Sequence, residues 1–385
     1  MTQAPRPTAS LRSLISAPLR LAEPVMEVRN LSVDYGFGTD AVHAVVDCDL
    51  VLRRGQVVGL AGESGSGKST LAMAALRLLR SPGVITSGEV IFHSKPSGGE
   101  GQPETLDLLT AGDSELQRVR WSQISVVFQS ALNALNPVIT IGAQFEDLLK
   151  VHRPQFSEAE RLDRSVQLME MVGMNGDRLR SYAHELSGGM RQRAMIAMAL
   201  ALDPQVMVLD EPTTALDVVT QREILEELMG LRDRLGFAAL FITHDLSLLV
   251  ELADEIVVMY AGRLMERAAA ASLFYSPRVP YTHGLLNCFP PMHGERRPME
   301  GIPGSPPDLR ALPSGCAFHP RCPWAMERCR KETPLLTPLD GSGREAACWL
   351  HAGEATVPAE LARPDPGGRA PTPSTATSRA PRSPR

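Results

Sequence analysis

No stretch of the 385 residues approaches the roughly 18 uninterrupted apolar positions that a membrane-spanning helix needs. The best apolar runs, Ala238 to Thr243 and Ile256 to Tyr260, have the length of buried strands. No internal repeat of fixed period is present. An excess of basic charge is also missing, with 39 Lys and Arg against 44 Asp and Glu and a formal net charge of −5. That balance excludes a highly basic nucleic-acid binder, and 43% hydrophobic residues exclude a mostly disordered chain. Residues 1–22 contain no acid and carry Arg6, Arg12 and Arg20, yet they lack the continuous apolar core and cleavage site of a secretory signal. Their composition reads as a disordered N-terminal extension.

What is present is a globular body with an uneven distribution of prolines and cysteines. Between Glu23 and about residue 275, short β-rich runs alternate with helical stretches. Gln56–Ala61, Ile124–Phe128, Val206–Leu209, Ala239–Thr243 and Glu255–Tyr260 read as strands, and Lys68–Arg80, Arg191–Leu202 and Thr220–Leu235 as helices. Such alternation predicts an α/β fold with a largely parallel sheet covered by helices. Residues 94–104 are polar and glycine-rich, a surface loop inside that domain. From 276 to 320 prolines are too dense for long helices or central strands, so a second unit, residues 276–355, begins there. Residues 356–385 have almost no large apolar side chains and read as a disordered tail.

Two motifs carry chemistry on their own. Gly62-Glu63-Ser64-Gly65-Ser66-Gly67-Lys68-Ser69-Thr70 matches the G-x-x-x-x-G-K-[ST] phosphate loop, placed between an apolar strand and a helix. Its backbone N–H groups and the positive helix end would converge on a polyphosphate. Lys68 would reach the β and γ phosphates, and Ser69 would complete the shell of a Mg²⁺ ion. Val206–Leu209 runs directly into Asp210 and Glu211. Two carboxylates at the carboxyl end of a buried parallel strand suit Mg²⁺ binding by Asp210 and activation of water by Glu211.

A third motif, Leu186-Ser187-Gly188-Gly189-Met190-Arg191-Gln192-Arg193, resembles the signature of the ABC ATPases. Tyr35 is placed like the aromatic residue that stacks on adenine, Gln129 like the Q-loop glutamine, Ala215-Leu216-Asp217 like the D-loop and His244 like the switch histidine. The resemblance implies a phosphate-loop NTPase core with a helical signature subdomain at about residues 130–195. It also implies that ATP is bound between two subunits. Ser187, Gly188 and Gly189 of one subunit would face the γ phosphate on the partner's phosphate loop. Glu211 would be the general base, His244 would contact the γ phosphate, and Gln129 would coordinate Mg²⁺ and sense a membrane partner. Met190 departs from the glutamine commoner at that position, which leaves the phosphate contacts of the serine and glycines in place.

Leu135–Gly142, Ser276–Leu286 and Ile302–Leu309 are similar to the oligopeptide/dipeptide importer branch, as is the stretch Gly315–Cys329 followed by Cys348-Trp349. Cys316, Cys322, Cys329 and Cys348, with gaps of five, six and eighteen residues, suit a 4Fe-4S cluster better than structural zinc, whose cysteines come as closer pairs. Zn²⁺ remains the alternative, and Cys48 and Cys288 read as packing residues.

The implied protein is an ATP-hydrolysing subunit on the cytoplasmic face of the membrane. It would work with a second ATPase subunit, as a heterodimer or a homodimer, two permease subunits and an extracytoplasmic solute-binding protein. Its solute would be a peptide, with a nickel chelate or glutathione as alternatives. A soluble ABC ATPase acting on nucleic acid or ribosomes is the more distant alternative, and no nucleic-acid partner is expected.

Overall fold

The computed structural model describes residues 22–95, 103–128, 134–214, 216–288, 301–339, 343–353 and 356–362. Strand β3 (Val57–Ala61) is buried at every position, so its backbone polar groups must be met by strands on both sides. It lies inside an eight-stranded sheet together with β6 (Ile124–Val127), β7 (Val206–Asp210), β8 (Ala238–Ile242), β9 (Glu255–Tyr260), β10 (Arg263–Ala269), β11 (Thr337–Leu339) and β12 (Arg344–Ala346). The spatial order is β11-β12-β10-β9-β3-β8-β7-β6. The pairs from β9 through β3, β8 and β7 to β6 are parallel, and those from β9 through β10 and β12 to β11 are antiparallel.

Side chains of β3 alternate between two cores, Val57 and Ala61 joining one and Val58 and Leu60 the other. Burial on both faces explains why these strands read as continuous apolar runs. On the first face lie α5 (Gly188–Ala199), α6 (Val218–Leu235) and α7 (Leu246–Leu252). On the second lie α1 (Lys68–Ala75), α2 (Asp113–Val119) and a separate antiparallel sheet. That sheet has the order β2-β1-β4-β5, from β1 (Pro24–Tyr35), β2 (Val42–Arg53), β4 (Gly83–Ser94) and β5 (Glu104–Asp107). It is absent from the sequence reading because register shifts along β1 break the period of two on which strand recognition rests.

The expected strands of the eight-stranded sheet agree with the structure to within a residue at each end; α6 begins two residues before the expected Thr220, and two helices differ more. α1 stops five residues before the expected Arg80. Arg77 turns left-handed at φ 52°, and Arg120 Nη2 donates to the carbonyls of Leu76 (3.4 Å) and Arg77 (2.8 Å), closing the helix end. α5 runs three residues earlier than expected, because Ser187 caps it and the two glycines form its first turn. The helical subdomain adds α3 (Ile141–His152), capped by Thr140, and α4 (Glu158–Met171), opened by the reciprocal Ser157–Glu160 capping box.

Beyond α8 (Ala270–Tyr275), the described residues hold two short α-helices, the eight-residue α9 (Pro280–Asn287) in the proline-rich stretch and the five-residue α10 (Glu327–Lys331) after it. Buried Glu266 on β10 accepts the N–H groups of Arg278 (2.7 Å) and Val279 (3.0 Å) and pairs with buried Arg344 at 3.6 Å. The core sheet therefore contains strands from both sides of residue 276.

Candidate nucleotide site at the carboxyl edge of the core sheet

The chain leaves β3 into a loop that only glycine can make. A Cβ on Gly62 (φ 149°) would sit 2.2 Å from the Met259 carbonyl oxygen, and one on Gly67 (φ 105°) 2.4 Å from that of Ala44. Ser64 and Gly65 form the exposed tip, while Ser66 is buried. Lys68 Nζ points back into the loop and donates to the carbonyls of Gly62 and Glu63, both at 2.8 Å, and to Ser66 Oγ at 3.4 Å. Burial lowers the Lys68 pKa, while Glu211, Asp210 and Glu63 act in the opposite sense. The lysine is thus held by neutral carbonyls that a polyphosphate would replace. Tyr35, at the end of β1, places its hydroxyl 3.4 Å from Thr70 Oγ1.

Ser69 Oγ donates to Asp210 Oδ1 at 3.0 Å. Asp210 ends β7 and is 3% exposed, and burial raises its pKa. The Ser69 hydrogen bond opposes that shift, the Glu211 charge adds to it, and Lys68 opposes it. Glu211 turns left-handed at φ 45° as the chain leaves the sheet. Its N–H donates to the Ile242 carbonyl at 2.9 Å, fixing it against β8. The carboxylate meets His244 Nδ1 at 3.1 Å through Oε1 and accepts from Thr214 Oγ1 at 3.1 Å through Oε2. Lys68, Ser69, Asp210, Glu211 and His244 are therefore gathered at one edge of the sheet, where ligands of open α/β sheets bind.

The signature forms a separate group. Ser187 Oγ accepts from Met190 N–H at 3.3 Å, and Asp217 caps α6 by accepting from Thr220 N–H at 3.0 Å. The two helix starts touch closely at Gly189, where a Cβ would lie 2.6 Å from Thr220 Cγ2. Ser187, Gly188, Gly189 and Asp217 thus share one surface. Gln129 and Ala215 lie outside the described residues.

The four clustered cysteines share one neighbourhood. Cys316 N–H donates to the Cys329 carbonyl at 2.8 Å. Burial pushes the Cys316 thiol up, Cys322 to about 11 and Cys348 to about 12, and neighbouring cysteines of the set add to each shift. Backbone N–H groups of Phe318, Trp324 and Leu350 point at three of the sulfurs. All six cysteines are free, and among the described residues no group of three or more His, Cys, Asp or Glu is placed to hold a metal ion. The expected metal-holding geometry is thus not supported by the side-chain placement.

Three contacts at the site went unassigned in the sequence reading: Thr214 on Glu211, and Tyr281 and Arg321 on Glu63. Thr214 follows the acidic pair by three residues and could have been suspected; the other two act across more than 200 residues.

Residues 45–214 match the ABC transporter family, and residues 265–329 match the oligopeptide/dipeptide transporter C-terminal region. This chain belongs to the ABC transporter ATP-binding subunits. It is 41% identical over 332 residues to the oligopeptide transport ATP-binding protein OppD of Escherichia coli, covering 85% of this chain and 94% of the relative. To the dipeptide transport ATP-binding protein DppD of Caldanaerobacter subterraneus it is 39% identical over 328 residues, covering 85% and 97%. A solved ATP-binding cassette, a dimer in a post-hydrolysis state bound to ADP and Pi, superposes with a TM-score of 0.54 at 28% identity. That match covers 64% of this chain and 98% of the other. The ABC ATPase subunit is an ATP-binding enzyme, and no helix among the described residues is long and apolar enough to cross a membrane.

Proposed function

We propose that this ABC subunit energises peptide import. It would bind ATP between its phosphate loop and the signature surface of a second ATPase subunit, on the cytoplasmic face of a permease pair served by an extracytoplasmic binding protein. Peptide as solute is supported by the names of the relatives and by the matching C-terminal region. A related but different partner ATPase is the arrangement we favour, with docking to the permeases near Gln129 and the helical subdomain.

The observation that carries the catalytic reading is the Glu211–His244 contact at 3.1 Å, one residue beyond the carboxylate that holds Ser69. The oxygen set of Ser69 Oγ and Asp210 Oδ1 fits a hard cation such as Mg²⁺, which when bound neutralises phosphate charge. Lys68 moves its ammonium from the loop carbonyls to the phosphates. Glu211 takes a proton from the attacking water, its carboxylate aimed by Thr214 and His244. Ser187 and the N–H groups of Gly188 and Gly189 close the site across the dimer.

Glu211→Gln keeps the size of the side chain and removes the base. ATP turnover should fall by about 10²- to 10⁴-fold, and an ATP-bound dimer should accumulate on size-exclusion chromatography with Mg²⁺ and ATP. Turnover at the wild-type rate would remove Glu211 from the role.

The finer reading of the cysteine quartet is a 4Fe-4S cluster on Cys316, Cys322, Cys329 and Cys348. Its support is the spacing of the four residues in the sequence and the Cys316 N–H bond to the Cys329 carbonyl at 2.8 Å, while the side-chain placement itself holds no metal geometry among the described residues. Zinc would need four sulfurs within about 3.8 Å of one another, from tetrahedral Zn–S bonds of about 2.3 Å, whereas a cluster binds each sulfur to a different iron. No catalytic step depends on this group.

A further inference from the structure

Glu63, the second residue of the phosphate loop, is held at each of its polar groups. Its carbonyl accepts from Lys68 Nζ at 2.8 Å and from the Ser66 N–H at 3.2 Å. Its N–H donates to the Tyr281 hydroxyl at 2.8 Å. Its carboxylate receives both arms of the Arg321 guanidinium, Nη1 on Oε2 at 2.6 Å and Nη2 on Oε1 at 2.9 Å. Two of these three grips come from the C-terminal region.

Arg321 is itself built in. Its Nε donates to the Pro303 carbonyl at 2.8 Å, Nη1 also reaches the Tyr260 hydroxyl at 3.2 Å, and the side chain is 6% exposed. Tyr260, Tyr281 and Phe318 pack around it with ring centroids 4.5 Å and 5.3 Å apart. The guanidinium carbon lies 5.9 Å from the Tyr260 and Phe318 ring centres. A planar fork with two parallel bonds fixes the direction of a carboxylate as well as its charge, which a lysine cannot do.

The position of this pair has a consequence for ligand binding. A carboxylate on a loop built to cradle a triphosphate repels that ligand unless it is neutralised and turned away. We propose that Arg321 is a positioning residue for ATP binding: it neutralises Glu63 and, with Tyr281, holds the phosphate loop in the shape that receives the triphosphate. The C-terminal region is on this account a working part of the nucleotide site.

The test is equilibrium binding of a fluorescent ATP analogue with Mg²⁺ to the full chain, with the thermal midpoint of the nucleotide-free protein measured alongside. Arg321→Met frees the carboxylate and should weaken binding by about tenfold. Adding Glu63→Gln removes the freed charge and should bring affinity back to within about threefold of wild type, a coupling between contacting residues. A purely structural Arg321 predicts the reverse, with the second substitution giving no recovery. Wild-type affinity in Arg321→Met, or no recovery in the double variant, overturns the proposal. If Arg321→Met does not fold, Arg321→Gln, which is polar but uncharged, serves instead with and without Glu63→Gln. It should bind more weakly than wild type and recover with Glu63→Gln, and the same two results would overturn it.

Discussion

Asp210 stands at the end of a strand in which every residue is buried, and that burial opposes its charged form and raises its pKa. A raised folded-state pKa means that the charged form destabilises the nucleotide-free protein, and that this penalty is relieved as pH falls through the raised value. Asp210→Asn removes the charge and keeps an acceptor for the Ser69 hydroxyl. The variant should melt higher than wild type at neutral pH, by roughly 2 °C, with the difference shrinking as the solution is acidified, while Mg²⁺-dependent ATP binding is lost. A lower midpoint than wild type at neutral pH would contradict the sign of the burial effect. At this scale the sequence was informative, because Lys68, Ser69, Asp210 and Glu211 lie within contiguous motifs whose residue types name their chemistry. Thr214 was open to suspicion from its place three residues after Glu211, whereas Arg321 was not legible, since an arginine carries no signal until its partner is known.

Among the elements, the starts of α5 and α6 form a unit on which the cross-subunit reading depends. Gly189 lies where a Cβ would meet Thr220 Cγ2 at 2.6 Å, so the two helix ends approach as closely as they do only through glycine. Gly189→Ala should push Ser187 away from Asp217 and abolish ATP-induced dimerisation on size-exclusion chromatography, while ATP binding by the single chain is retained. Loss of both together would mean that the signature supports the site within its own chain. The helix boundaries show where periodicity stops being a guide. α5 begins at glycines that read as breakers, since Ser187 supplies the cap they lack. α1 ends early where Arg77 turns left-handed, and Arg120 takes the carbonyls just beyond the helix, those of Leu76 and Arg77.

For the whole molecule, β12 pairs with β10, so the C-terminal region extends the core sheet as well as gripping Glu63. The cysteine quartet sits in this same region. Anaerobic purification followed by an absorption spectrum and iron, sulfide and zinc analysis should show broad visible absorption and about four irons per chain. One zinc per chain without colour would make the cysteines a structural zinc staple, and no metal would reduce them to packing; either result leaves the ATPase reading intact.

The sequence by itself determined the chemistry: a phosphate loop after an apolar strand, two acids ending another, and a signature at a helix start are local patterns written in neighbouring residues. It also indicated the parallel core, because strands buried on both faces leave continuous apolar runs. Only the tertiary structure decided that the antiparallel sheet covers one face of that core. Bulges hide its alternation from any fixed period. Nor could the sequence join Arg321 to Glu63, because a contact between residues 258 positions apart is created by the packing of the whole chain and leaves no trace in local spacing.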